Sequence, residues 1–105
     1  MRLSLTPAPT FKATARVPVP GGEPADIVCT FRHRSRSELT ELFDGKPPDG
    51  DYLMAILVGW DLDDEFNREN VDRLIEMHHG APTAISEVYL TELTGGRPNF
   101  TKVAS

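Results

Sequence analysis

The sequence predicts an α+β fold in which an N-terminal antiparallel β-hairpin packs on a bundle of about four short helices. Three observations predict it. Residues 11–31 alternate apolar and polar side chains with period two on either side of a Gly-Gly turn. From residue 36 the apolar spacing changes to three and four, the period of a helix. Glycine and proline pairs then cut that helical part into short pieces, at 45–50, 80–82 and 95–98. At 105 residues the chain has room for one core. The expected organisation is a loose lead-in over 1–10, one domain over 11–95 (hairpin 11–33, helices 36–94) and a flexible tail over 96–105.

The elements follow in order. Phe11, Ala13, Ala15, Val17 and Val19 alternate with Lys12, Thr14, Arg16 and Pro18, which describes a half-buried strand. Pro18 and Pro20 cannot donate to a ladder, so this strand belongs at a sheet edge. Gly21-Gly22-Glu23-Pro24 turns the chain, and Ala25, Ile27, Cys29 and Phe31 form the inner face of a second strand. A lone hairpin is marginal in water, so its apolar face needs the helices as cover.

Ser35 and Glu38 stand at capping-box spacing, and Leu39, Leu42 and Phe43 make the stripe of a first helix that Gly45 closes as a left-handed cap. After the break at 46–50, Asp49 or Asp51 caps a run over 52–59 that is apolar on every side. Periodicity does not separate helix from buried strand there; its Leu, Met and Ala content favours helix. Asn67 is a good cap for the third helix, with Phe66 stapled to Val71. Val71, Leu74, Ile75 and His78 form its inner stripe, and Gly80 ends it. Pro82 opens the last helix at its first position, Ile85, Val88, Tyr89 and Leu93 follow, and Gly95-Gly96 stops it.

Charge is unevenly distributed. Residues 1–40 hold six Lys/Arg against three Asp/Glu, whereas residues 41–95 hold thirteen Asp/Glu against three Lys/Arg, within a net charge of −5. The acidic helical half repels nucleic acid and anionic membrane and steers basic partners inward. The longest apolar stretch, 53–60, falls far short of the roughly 20 residues that span a bilayer. One cysteine permits no disulfide within the chain, and the N-terminus lacks the apolar run of a signal peptide, so a cytoplasmic protein is expected.

Chemistry-bearing patterns fail on inspection. Asp61, Asp63 and Glu65 alternate like calcium ligands, but an EF-hand needs Gly and Glu where Phe66 and Asp72 stand. His78 and His79 diverge on a helix and do not converge with Cys29 or His33 into a zinc site. Cys29 shares the apolar face of Ile27 and Phe31, which makes it a core residue. Nucleophile elbows and phosphate-binding glycine loops do not occur in the sequence. No catalytic, metal or cofactor site is expected, and the protein reads as one that binds other proteins.

Val58-Gly59-Trp60, a short acidic linker and then Phe66-Asn67-Arg68-Glu69-Asn70-Val71-Asp72-Arg73-Leu74-Ile75 resemble a segment of the tail assembly chaperones of long, non-contractile-tailed bacteriophages and prophages. That family is similar in its apolar helix ending in Gly-Trp, its Pro-Phe-Ser-like helix start and the pair of leucines that follows. Ala81, Ala84, Ile85, Tyr89 and Leu93 match its next helix, and Gly95-Gly96-Arg97-Pro98-Asn99 its closing segment. The resemblance covers roughly residues 36–99 and rests on packing residues. Glu65 stands where the family usually has proline, and the helix-junction proline is moved to Pro82.

The resemblance implies a non-enzymatic assembly factor of the host bacterial cytoplasm, absent from the mature virion. Its partners would be the tape-measure protein, whose apolar helices it keeps soluble, and the tail-tube protein. An apolar groove on a charged body suits that task. Trp60, Tyr52, Phe66 and Tyr89 are the aromatic candidates for such a groove, against the plainer reading of core aromatics. Trp60, flanked by Asp63, Asp64 and Glu65, is the leading contact. Arg32, Arg34 and Arg36 form the single basic cluster: either a solvated strand end or a dock for an acidic surface, including that of a second copy in a homo-oligomer. The competing readings are a minor structural tail protein, of the tube or its joint, and a small acidic adaptor.

Overall fold

The computed structural model describes residues 5–95. Two strands open the fold, β1 (Thr10–Val17) and β2 (Ala25–Arg32). They pair antiparallel in the register Thr10↔Arg32 through Val17↔Ala25, without interruption. Gly21 takes φ +75° at the turn, a conformation that glycine adopts without a Cβ penalty. Alternation places Ala15, Val17, Ile27, Cys29 and Phe31 on one buried face. Lys12, Thr14, Arg16 and Arg32 on the other are exposed.

Helix α1 (Arg36–Asp44) starts at the expected capping box: the Ser35 hydroxyl accepts from the Glu38 amide, and the Glu38 carboxylate accepts from the Ser35 amide at 2.8 Å. That backbone bond holds the Glu38 carboxyl below its usual range. The other end of α1 departs from expectation. Gly45 is right-handed at φ −73°, and Lys46 takes the left-handed conformation one residue later. The helix α2 (Asp49–Ile56) has Pro48 at its N-cap and no side-chain cap bond, so Asp49 and Asp51 serve its first turn by charge alone.

The largest correction falls at 52–59. The expected helix stops at Ile56, and Leu57–Trp60 is a third strand, β3. It pairs antiparallel with β2, giving the sheet order β1-β2-β3, with an irregularity at Thr30/Phe31. An apolar run can serve a helix or a buried strand; the unpaired edge of β2 decides, because its amides and carbonyls need partners.

Asn67 caps α3 (Arg68–Met77) as anticipated, its side chain accepting from the Asn70 amide at 2.8 Å. The helix ends at Met77, before Gly80; His78 is its C-cap, and Gly80 is the N-cap of α4 (Ala81–Thr94). Pro82 therefore stands second in that helix. Gly95 closes α4 in the left-handed conformation at φ +77°. The tail assigned to 96–105 lies outside the described residues.

The core gathers the inner sheet face, Tyr52, Leu53 and Ile56 of α2, Val71 and Leu74 of α3, and Ala81, Ile85 and Tyr89 of α4. Each large side chain fully buried there contributes about 1.5–3 kcal/mol. Tyr89 is the largest, stacked on Phe11 at 6.0 Å and tilted against Phe31 at 5.1 Å. Gly80 lies against the hairpin, where a Cβ would come within 2.9 Å of Pro18 Cγ. This contact brings the start of α4 to the turn end of β1.

Candidate functional site

The third strand positions the candidate site. Pairing with Cys29 sets Trp60 on the helix side of the sheet. Asp61 extends the ladder by one residue: its amide donates to Val28 O at 3.1 Å, and its carboxylate accepts from the Val28 amide at 2.9 Å. The chain then turns through the acidic loop and is pinned again. Trp60 Nε1 donates to Asp64 O at 2.8 Å, and Asn70 Nδ2 donates to Glu65 O at 2.7 Å. Phe66 meets the Trp60 ring edge-on at 5.2 Å. The loop is thus held from both ends by backbone carbonyls, and Asp63, Asp64 and Glu65 are exposed.

A cleft of about 370 Å³ opens between this loop, the turn end of the hairpin and the last turn of α3. Its apolar lining comes from Val17, Val19 and Ile27 of the hairpin, from Trp60 and Leu62, and from Leu74 and Met77 of α3. Met77 is 68% exposed, a large apolar side chain left at the lip. Asp26, Asp63, Asp64, Asn70, Arg73 and His78 supply the polar part. The Nδ1 atom of His78 is buried and has no hydrogen-bond partner among the described residues.

The acids differ in what they face. Asp26 lies 3.4 Å from Arg16, Asp61 accepts from the backbone, and Asp51 and Asp72 flank Arg68 at 2.6 and 2.9 Å. Those two carboxylates raise the Arg68 pKa further above its ordinary value. Asp63, Asp64 and Glu65 have no ion pair among the described residues. Exposed pairs contribute little to stability, about 0–1 kcal/mol each. The unpaired acids are therefore more informative about partners than the paired ones are about stability.

The sequence candidates separate into three places. Trp60, Asp63 and Asp64 line the cleft, with Glu65 and Phe66 beside them. Tyr52 and Tyr89 are buried; the Tyr52 hydroxyl is 2.8 Å from Ser86 Oγ, and the Tyr89 hydroxyl donates to Arg32 O at 2.9 Å. Arg32 is the last residue of β2 and Arg34 and Arg36 follow it, at the end of the hairpin away from the turn; at ~3.3 Å per strand residue Arg32 is about 10 Å from Cys29, the partner of Trp60. Arg34 is occupied there, donating to Ala55 O at 2.8 Å and facing Glu38 at 3.6 Å.

Leu62, Met77, Arg73 and Val19 were not among the sequence candidates. Met77 carried a signal: it is an apolar residue off the Val71–Leu74–Ile75 stripe of its own helix. Leu62 carried another, as the apolar residue inside an acidic loop.

Among the described residues no group of three His, Cys, Asp or Glu side chains is placed to hold a metal ion. Burial pushes the Cys29 thiol up to about 12, with Asp61 adding to the shift, so the thiolate that a nucleophile requires is suppressed. No helix among the described residues is long and apolar enough to cross a membrane.

The described residues form a small α+β scaffold with an apolar cleft and an acidic lip. The chain matches the phage tail assembly chaperone family over residues 1–99, and it belongs to that family. The match takes in the hairpin as well as the helical part. Neither a curated protein nor a solved structure matches the chain.

Proposed function

We propose that this chaperone binds the tape-measure protein of a long phage tail, keeps its apolar helices soluble during assembly and helps recruit tail-tube subunits. It acts by binding, without catalysis, in the host bacterial cytoplasm, and is left out of the mature virion. The observation that carries this reading is the cleft beside Trp60: apolar walls, an exposed Met77 at the lip and a loop of unpaired carboxylates. An apolar surface of that kind marks an interaction site, and methionine adapts to varied apolar partners. Self-association through the Arg32, Arg34 and Arg36 end, against the acidic half of a second copy, is the accompanying proposal.

Co-expression with the tape-measure gene of the same phage or prophage tests the reading. The tape measure is expected in the soluble fraction only when this chain is present, and Trp60→Ala weakens its capture while helix content is retained. A tape measure equally soluble without the chaperone would refute the reading. Mass spectrometry of purified virions is expected to lack this chain; a stoichiometric amount would place it among the structural tail proteins instead.

A further inference from the structure

We infer that the cleft accepts an amphipathic helix presenting two apolar side chains one turn apart, flanked on the loop side by Lys or Arg. This inference rests on the chaperone reading and specifies the segment that the site selects.

Size is the first argument. A cleft of about 370 Å³ is at the small end of protein binding sites, with room for about two large aliphatic side chains. Side chains at i and i+4 on a helix stand about 5–6 Å apart and reach such a space together.

Backbone accounting is the second. The cleft is floored by a face of the sheet, where backbone amides and carbonyls lie in the sheet plane and bond sideways: Val17 and Ile27 pair within the hairpin, Trp60 with Cys29, and Val28 with Asp61. An extended segment laid there would bring amides and carbonyls with nothing to receive them. A helix arrives with its own backbone satisfied and offers only side chains.

Charge is the third. Asp63 and Asp64 line the loop side with no cation paired to them among the described residues. The α3 side carries one cation, Arg73, already 3.4 Å from Asn70 Oδ1. The lip is therefore negative on one side, and an occupant with Lys or Arg along that edge is matched. The same edge rejects a Glu-flanked helix, because like charges across an interface are disfavoured.

Trp60 is the only tryptophan of the chain and lines the cleft, so its fluorescence reports occupancy directly. Three synthetic helical peptides of about 16 residues suffice as probes against the full chain. One has Leu at i and i+4 with Lys flanks, one has the same Leu pair with Glu flanks, and one has Lys flanks with Ala replacing Leu. The Lys-flanked Leu peptide is expected to shift Trp60 emission and to bind at least about tenfold more tightly than either other peptide. The double variant Asp63→Lys/Asp64→Lys is expected to invert the preference between Lys and Glu flanks. Both side chains are exposed and make no described hydrogen bond, so this variant keeps the fold, as circular dichroism would verify.

Equal binding of Lys- and Glu-flanked peptides overturns the inference, as does an unchanged preference in the double variant. Self-association of the chain that the Leu peptide competes away also overturns it, by giving the cleft to a second copy. If the peptides fail while wild-type chain still solubilises the tape measure, the cleft assignment falls and the chaperone reading stands. If the tape measure is not solubilised by the wild-type chain, the reading itself falls whatever the peptides do.

Discussion

Replacing Tyr89 in two steps separates what its ring does from what its hydroxyl does. Tyr89 is fully buried, stacks on Phe11, tilts against Phe31 and donates its hydroxyl to Arg32 O at 2.9 Å. Tyr89→Phe removes one hydrogen bond and leaves the ring in place. A neutral hydrogen bond contributes about 1 kcal/mol net, and for a domain of this size that lowers Tm by about 4–8 °C. Tyr89→Ala deletes the whole ring from beneath the hairpin, at a cost of about 3–5 kcal/mol. That consumes much of the roughly 5–15 kcal/mol that holds a domain folded. Urea denaturation followed by far-ultraviolet circular dichroism reads both. The expected ratio of the two losses is about three to five, from the same estimates. Equal losses for Phe and Ala would refute the assignment of Tyr89 as a packing residue, and so would an Ala variant within about 1 kcal/mol of wild type. Since the ring does not line the cleft, the tape-measure binding proposed above should be unchanged in Tyr89→Phe.

Three further outcomes follow from the same packing. Cys29, its thiol pushed by burial from an ordinary 9.0 to about 12, should resist a thiol reagent at neutral pH until denaturant is added; fast labelling of native protein would contradict its burial. Because the unfolded thiol ionises first, this residue's contribution to stability is complete below pH 9.0 and declines as pH climbs toward about 12, a slope that Cys29→Ala should reduce. Gly80→Ala would set a Cβ 2.9 Å from the rigid Pro18 ring, costing about 1–3 kcal/mol, and an unchanged denaturation midpoint would argue against that approach. Asn67→Ala loses the bond to the Asn70 amide and about 1 kcal/mol, whereas Asn67→Asp keeps the cap; equal loss in both variants would show that the side-chain oxygen is not the cap.

Much of this molecule was legible in the amino-acid sequence because local chemistry decides it. Period-two alternation placed both hairpin strands and their inner faces, and the proline pair anticipated an edge position for β1. Ser35 with Glu38, and Asn67 before Val71, marked two helix starts to the residue, since a cap is satisfied within its own turn. Other boundaries slipped where a conformation depends on its neighbour: Lys46 takes the left-handed position expected of Gly45, and Gly80 begins a helix where it was expected to end one. Of the candidate contacts, Trp60, Asp63 and Asp64 came together because they are close along the chain.

Leu57–Trp60 became a strand for a reason that no local pattern contains. Its side chains are apolar on every side, so periodicity is silent, and the β2 backbone edge supplies the partners that turn it from helix to sheet. The cleft has the same origin. Val17 and Val19 meet Met77 and Leu62 across about fifty residues of chain, through the sheet pairing and the seat of Gly80 on Pro18. Composition and local apolar spacing determined an acidic α+β protein with a buried hairpin face; long-range backbone pairing and the packing of α4 on the hairpin decided where its exposed apolar surface and its unpaired carboxylates would lie together.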